Sequence, residues 1–263
     1  MATAPRADAR SALVSELRSS GYAWLEPMEV RAALELDVAA LDRLRGSWEQ
    51  LPRDAYLRDG GHYRARRHSC FVYTPASDQL AAVPQRAHWQ PTAYNALHGG
   101  MLRWFEPLEP CVLEQRAFSQ LLSSLGSLFG ELQPVSRWHV EARQFRIDTR
   151  GGIGRPTPEG AHRDGVDFVA VVLVGRRGVR GGETRVFEAH GNRGVRFTME
   201  QPWSMLLMDD ARVIHETTPI QSQGRAESAA VVAQASDAPL GVRDTLVLTY
   251  RARGFQAPEE GGG

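Results

Sequence analysis

The stretch from Pro158 to Phe187, PEGAHRDGVDFVAVVLVGRRGVRGGETRVF, decides the reading of the fold. Its first residues end a Gly- and Pro-rich loop that begins at Gly151. The apolar run Phe168 to Val174 is too short for a membrane span and rich in Val, and Asp167 to Gly175 reads as a buried strand. A glycine-rich turn follows, and Glu183 to Ala189 reads as the next strand. Outward toward the C-terminus the same texture continues: Gly194 to Glu200, Ser204 to Met208, Arg212 to Ile220 and, after a polar stretch from Gln221 to Gly241, the last strand RDTLVLTYR from Arg243 to Arg251. Toward the N-terminus, Arg137 to Asp148 (RWHVEARQFRID) and Tyr63 to Thr74 (YRARRHSCFVYT) are further strands. Short strands at this pitch, separated by turn residues, predict a sandwich or jelly roll.

The first third has a different period. Ser11 to Leu17 is a short amphipathic segment broken near Gly21, and apolar residues recur at helical spacing from Pro27 through Val30, Leu34, Val38, Leu41 and Leu44, with Trp48 and Pro52 closing the element. A second helix is predicted from Cys111 to Leu132, and the stretch 75–110 between them, with five prolines, is predicted irregular. Helices first and strands later predict an α+β, mainly β protein. A single domain is expected over residues 1–263, with a helical and irregular part (1–133), a β core (134–253) and a disordered tail (254–263).

Composition narrows the function. Lys+Arg and Asp+Glu both total 31 in 263 residues, so no global charge favours nucleic acid or an anionic membrane. There is no lysine in the sequence, which excludes a Schiff-base lysine, a P-loop lysine and a lysine general base. Two cysteines, Cys70 and Cys111, without a CxxC pair exclude a disulfide scaffold and a zinc ribbon; both are expected to be reduced, partly buried thiols. The N-terminal residues lack the apolar core of a signal peptide, so a cytoplasmic protein is expected.

The chemistry concentrates at His162-Arg163-Asp164, where the loop meets the strand. Residues i and i+2 of extended backbone point to one side, so His162 and Asp164 present an imidazole and a carboxylate together. A histidine from a neighbouring strand would complete a two-histidine, one-carboxylate face, which suits ferrous iron and leaves positions open for oxygen and an organic chelator. His215, in the apolar strand VIHETTPI, is the candidate, with His139 and His190 as alternatives. Zinc would ask for further His or Cys at suitable spacing. A chelating 2-oxo acid needs a cation for its far carboxylate, and without lysine that is an arginine. Arg243, with Thr245 on the same strand face, is favoured over Arg225 in the polar stretch. For a substrate carboxylate, Gln144 and Arg146 are expected to face the site together while Arg143 faces away; Arg64, Arg66 and Arg67 are further candidates, and Glu159 and Asp167 could hold an ammonium.

The segments at 158–187, 208–220 (MDDARVIHETTPI) and 243–251, with YRARRHSCFVY upstream, resemble the Fe(II)/2-oxoglutarate dioxygenases that hydroxylate free L-amino acids, the isoleucine-dioxygenase group. The resemblance implies a double-stranded β-helix (jelly roll, cupin-like) core with flanking N-terminal helices. It implies iron ligation by His162, Asp164 and His215, and 2-oxoglutarate held by Arg243. It also implies Fe(II), 2-oxoglutarate and O2 as cofactor and co-substrates, and an amino acid as small-molecule partner. A carboxylate at Asp164, where a related halogenase has a small residue, argues for hydroxylation. The linker from Ser222 to Val242 is longer than the family's. Two other readings are a cupin-like, non-enzymatic metal or small-ligand binding protein, and a hydroxylase of a peptide or protein; turnover of 2-oxoglutarate to succinate separates the first from an enzyme.

Overall fold

The structure, a computed structural model, describes residues 6–223 and 241–258. Arg225, the alternative cation for a 2-oxo acid, and residues 259–263 of the tail lie outside the described residues. The strands are β1 (Tyr22–Leu25), β2 (Arg64–Thr74), β3 (Gln79–Ala82), β4 (Trp138–Asp148), β5 (Ile153–Gly154), β6 (Phe168–Arg177), β7 (Val179–Gly181), β8 (Thr184–Glu188), β9 (Gly194–Phe197), β10 (Met205–Asp209), β11 (Val213–Thr217), β12 (Ile220–Ser222) and β13 (Val242–Arg251). The helices are α1 (Arg6–Ser20), α2 (Pro27–Leu34), α3 (Val38–Leu41), α4 (Pro110–Leu113) and α5 (Arg116–Leu132), and a 3₁₀ segment spans Asp42–Gln50.

Seven strands form one antiparallel sheet in the order β1-β10-β6-β13-β4-β2-β3. Two three-stranded sheets, β11-β8-β9 and β5-β12-β7, complete the jelly-roll core. Alternation along each long strand sorts side chains onto two faces. Ala142, Val140, Ala170, Val172, Leu246 and Leu248 share one apolar cluster with Leu13, Leu17, Leu121, Leu125 and Phe129 of α1 and α5. The opposite face carries Val169, Leu173, Leu206 and Met208, which meet Val186 and Val213 of the small sheet. The helices thus cover one side of the large sheet, and the other side is left to build a cavity.

The expected strands are found within a few residues, with differences that have local causes. The helix expected from Pro27 to Trp48 is broken because Glu35 adopts a left-handed conformation (φ 54°) and Asp37 caps a new start, its carboxylate accepting from the N–H groups of Ala39 and Ala40. The second helix is interrupted at Glu114 and Gln115 between α4 and α5. Strand β1 falls in the break between the two expected helical segments and β3 in the stretch expected to be irregular; both are four-residue strands on the flanks of the sheet, too short to show a period. Among the described residues, no helix is long and apolar enough to cross a membrane.

Candidate metal centre and cavity

His162 and His215 are brought together by backbone. They form a bridge in which each N–H donates to the other's carbonyl at 3.0 Å, and their rings lie 4.6 Å apart. Asp164 follows two residues on, and the ligand atoms of His162, Asp164 and His215 all lie within 4.8 Å of one another. The turn that aims Asp164 is held by Asp210, whose carboxylate accepts from the N–H groups of Asp164, Gly165 and Val166 at 2.9, 2.8 and 3.1 Å. Arg163 donates to the carbonyl of Asp210, closing the same turn. Gly165 has φ +76°, and a Cβ there would fall onto the ring of Tyr94, so glycine is required where the backbone leaves Asp164.

Electrostatics favour the ligand-ready forms. Burial alone would raise Asp164, but the guanidinium of Arg143, then His162 and His215, draw its carboxyl below the ordinary value, to about 2. Burial, reinforced by His162, pushes His215 down to about 3, which keeps its imidazole neutral. The Nδ1 of His162 donates to the Gly160 carbonyl at 3.0 Å, which holds the ring and leaves Nε2 as its metal-facing nitrogen. The buried Nδ1 of His215 has no hydrogen-bond partner, and its Nε2 stands 3.9 Å from Asp164 Oδ2. Two imidazoles and one ionised carboxylate, converging without bonding one another, fit a divalent iron ion.

The triad opens into a cavity of about 100 Å³. Five arginines line it, from β2 (Arg64, Arg66), β4 (Arg143), β13 (Arg243) and the segment before α4 (Arg103). Arg243 and Thr245 both line this cavity, and Arg243 is 3% exposed with Nε and Nη2 lacking any partner. Arg66 lies against the rings of Phe105 and Phe145, 3.8 and 4.4 Å from their centroids, with its own Nε and Nη2 unpaired. Glu159 also lines the cavity, with Oε2 buried and unpaired.

The expectation for β4 is reversed. Arg143 faces the cavity, its two terminal nitrogens 3.3 Å from Asp164 Oδ1, beside Gln90 at 3.2 Å. Arg146 and Gln144 point to the helical side: Arg146 pairs with Asp244 and Glu49, and Gln144 donates to Ser47. The signal was in the strand itself, because Trp138, Val140 and Ala142 are its apolar positions and mark the helix-packed face, leaving the odd residues for the cavity. Arg67 is bound to Glu106 and Glu109 away from the cavity, and Asp167 accepts from Gln133 and the Ala252 N–H. His139 bonds the Arg251 carbonyl and packs on Phe255, and His190 is exposed, so neither joins the triad. Cys70 is fully buried and Cys111 exposed, rather than both being partly buried. Gln90, Arg103 and Asp210 were not anticipated; Gln90 and Arg103 sit in irregular structure where no period assigns a face.

A jelly roll with a His-x-Asp pair and a cross-strand histidine at the mouth of an arginine-lined cavity defines an iron-dependent oxygenase. Residues 45–249 match the family model of the 2OG-Fe dioxygenases, and the protein belongs to that family. It is therefore a 2-oxoglutarate-dependent dioxygenase, using Fe(II), 2-oxoglutarate and O2, and the reading as a non-enzymatic cupin-like binder is set aside. Among solved structures, a bsmA homolog from Methylobium petroleophilum PM1 is 54% identical, the match spanning 95% of either protein with a TM-score of 0.84. IDO from Bacillus thuringiensis shares the fold at 15% identity, covering 93% of this protein and 99% of its own length, with a TM-score of 0.73. The Fe(II)/(alpha)ketoglutarate-dependent dioxygenase TqaL does so at 17% identity, covering 95% and 90%, with a TM-score of 0.66. No curated protein matches the sequence.

Proposed function

We propose that the protein hydroxylates an unactivated C–H bond in the side chain of a free L-amino acid or a close derivative. His162, Asp164 and His215 would hold the iron, and Arg243 with Thr245 the distal carboxylate of 2-oxoglutarate. Bound iron and 2-oxoglutarate supply the activation of dioxygen that puts one oxygen atom into the substrate and releases succinate and carbon dioxide. The protein's part is to bind, orient and exclude water.

The observation that carries the substrate reading is a second buried guanidinium with unfilled donors. Arg66 lies on β2 and Arg243 on β13, on either side of β4. The two guanidinium groups come from different strands and both line the one cavity, so it offers cations for two carboxylates. Arg243 answers the 2-oxo acid, and Arg66 is left for a second carboxylate. It is held against the rings of Phe105 and Phe145, so little freedom is lost when an anion docks. Glu159 offers an unpaired carboxylate oxygen in the same cavity for an ammonium. A cation and an anion point together suit the zwitterionic head of an amino acid, leaving its side chain for the iron.

The test is a comparison of amino acids with their carboxamides in succinate-forming assays. The free acids should be hydroxylated and the amides should not, and Arg66→Met should erase the difference. Hydroxylation of peptides alone would reject the reading.

A further inference from the structure

Outside the cavity, the same face of the large sheet carries a second cluster. His68 and Cys70 lie two residues apart on β2, and Glu141 lies on β4 directly opposite Cys70. His68 Nε2 stands 3.3 Å from Glu141 Oε2 and 3.5 Å from Cys70 Sγ, and the three ligand atoms lie within 4.8 Å of one another. His88, from the segment between β3 and α4, donates from Nδ1 to Glu141 Oε2 at 2.7 Å. All four residues are buried, Cys70 to 1% exposure.

We propose that His68 Nε2, Cys70 Sγ and the Glu141 carboxylate form a second metal site, of zinc type, distinct from the iron triad. Around a tetrahedral zinc with N and O ligands near 2.0–2.2 Å and sulfur near 2.3 Å, neighbouring ligand atoms are separated by about 3.3–3.6 Å. The two measured edges fall in that range. Thiolate, imidazole and carboxylate together are a donor set that zinc takes readily and calcium or magnesium does not.

Hydrogen bonding alone leaves the cluster poorly matched. Both the thiol and the carboxylate approach one atom, His68 Nε2, while His68 Nδ1 is buried with no partner. If Nε2 carries the proton and donates to Glu141, the Cys70 S–H has no acceptor within the cluster. If Nδ1 carries it, a lone pair on Nε2 faces a carboxylate oxygen. One cation at the centre makes the Nε2, Sγ and carboxylate lone pairs favourable; Nδ1 is without a partner in every case and does not decide between them.

The binding step balances simply. A divalent ion displaces the thiol proton to solvent and forms bonds to Sγ, Nε2 and the carboxylate, with no redox change. The dication is neutralised by thiolate and carboxylate, which matters because Arg66 and Arg143 stand on the same face. Arg143 is already paired with Asp164. His88 then plays the outer part, fixing the carboxylate of Glu141 from behind. The site would tie β2, β4 and the segment bearing His88 and Gln90 to one another, beside the Gln90–Asp164 contact.

The test uses full-length protein carrying Cys111→Ser, which removes the exposed thiol, produced in zinc-supplemented medium. X-ray absorption at the zinc edge should show one sulfur scatterer near 2.3 Å. Nitrogen and oxygen scatterers alone would overturn the proposal without any variant at the site. Elemental analysis should find the zinc retained in His162→Ala and lost, at least tenfold, in Cys70→Ser and in His68→Gln. Cobalt loading should give a near-ultraviolet thiolate charge-transfer band that survives His162→Ala. A band lost with His162→Ala, or zinc kept in a folded Cys70→Ser protein, would also overturn it.

Discussion

Replacing Arg243 by Met should separate binding of 2-oxoglutarate from stability of the fold. Arg243 is 3% exposed, and burial, reinforced by Arg176, pulls its guanidinium down to about 10, still charged at neutral pH. Two of its three nitrogens have no protein partner. A carboxylate docking there gains a charge-assisted pair away from water, and removing the guanidinium leaves that carboxylate buried and unpaired. Losses of this kind run to about 3–5 kcal/mol, roughly 10²- to 10⁴-fold in affinity. Arg243→Met keeps the apolar stem and removes an uncompensated buried charge, so the variant without 2-oxoglutarate should resist denaturant at least as well as the parent. Thr245→Val removes one neutral hydroxyl and should weaken binding by only about 2- to 10-fold. Anaerobic calorimetric titration of 2-oxoglutarate into manganese-loaded protein reads both. A change under about threefold for Arg243→Met would refute the clamp.

Arg143→Ala and Arg146→Ala should have opposite profiles. The first removes both guanidinium donors from Asp164 and should weaken Fe(II) binding by about 10- to 100-fold, measured by competition with a chelator. The second breaks the pairs to Glu49 and Asp244 on the other face and should lower unfolding stability by about 1–3 kcal/mol with little effect on metal binding. Gly165→Ala should cost more than about 1 kcal/mol and loosen the metal, because a Cβ at φ +76° meets Tyr94; unchanged stability would show that the turn tolerates a side chain. His98 gives a pH dependence: burial, with Arg64 and Arg103, lowers it to about 4, and its Nε2 accepts from the Arg58 N–H. The unfolded protein, with an ordinary histidine near 6.5, takes up the proton first, so stability falls as pH drops from about 6.5 toward 4, by at most about 3 kcal/mol. His98→Gln should flatten that part of the denaturation profile relative to the parent.

The strands and the convergence of His162, Asp164 and His215 were legible because each rests on a local rule. The Val-rich run at Phe168–Arg177 and the i, i+2 pair at His162 and Asp164 need nothing beyond their own neighbours. The facing of β4 was legible in principle, since its apolar residues name the packed side, but a reading that starts from the charged residues takes the wrong parity. What was not legible lies between elements. Asp210 is fixed to the Asp164 turn across 46 residues, and Gln90 reaches Asp164 from 74 residues away in a segment without a period. Arg66 carries a functional reading only once Phe105 and Phe145 are seen beside it and its donors are found empty.

Amino-acid hydroxylation is read directly by exposing the anaerobically reconstituted protein, with Fe(II) and 2-oxoglutarate, to ¹⁸O₂ in the presence of a panel of free L-amino acids and following the products by mass spectrometry. One labelled oxygen should enter an amino-acid side chain for each labelled succinate formed, and both should be lost in His215→Ala. Succinate formed without any labelled amino acid, or label appearing only in peptides, would contradict amino-acid hydroxylation.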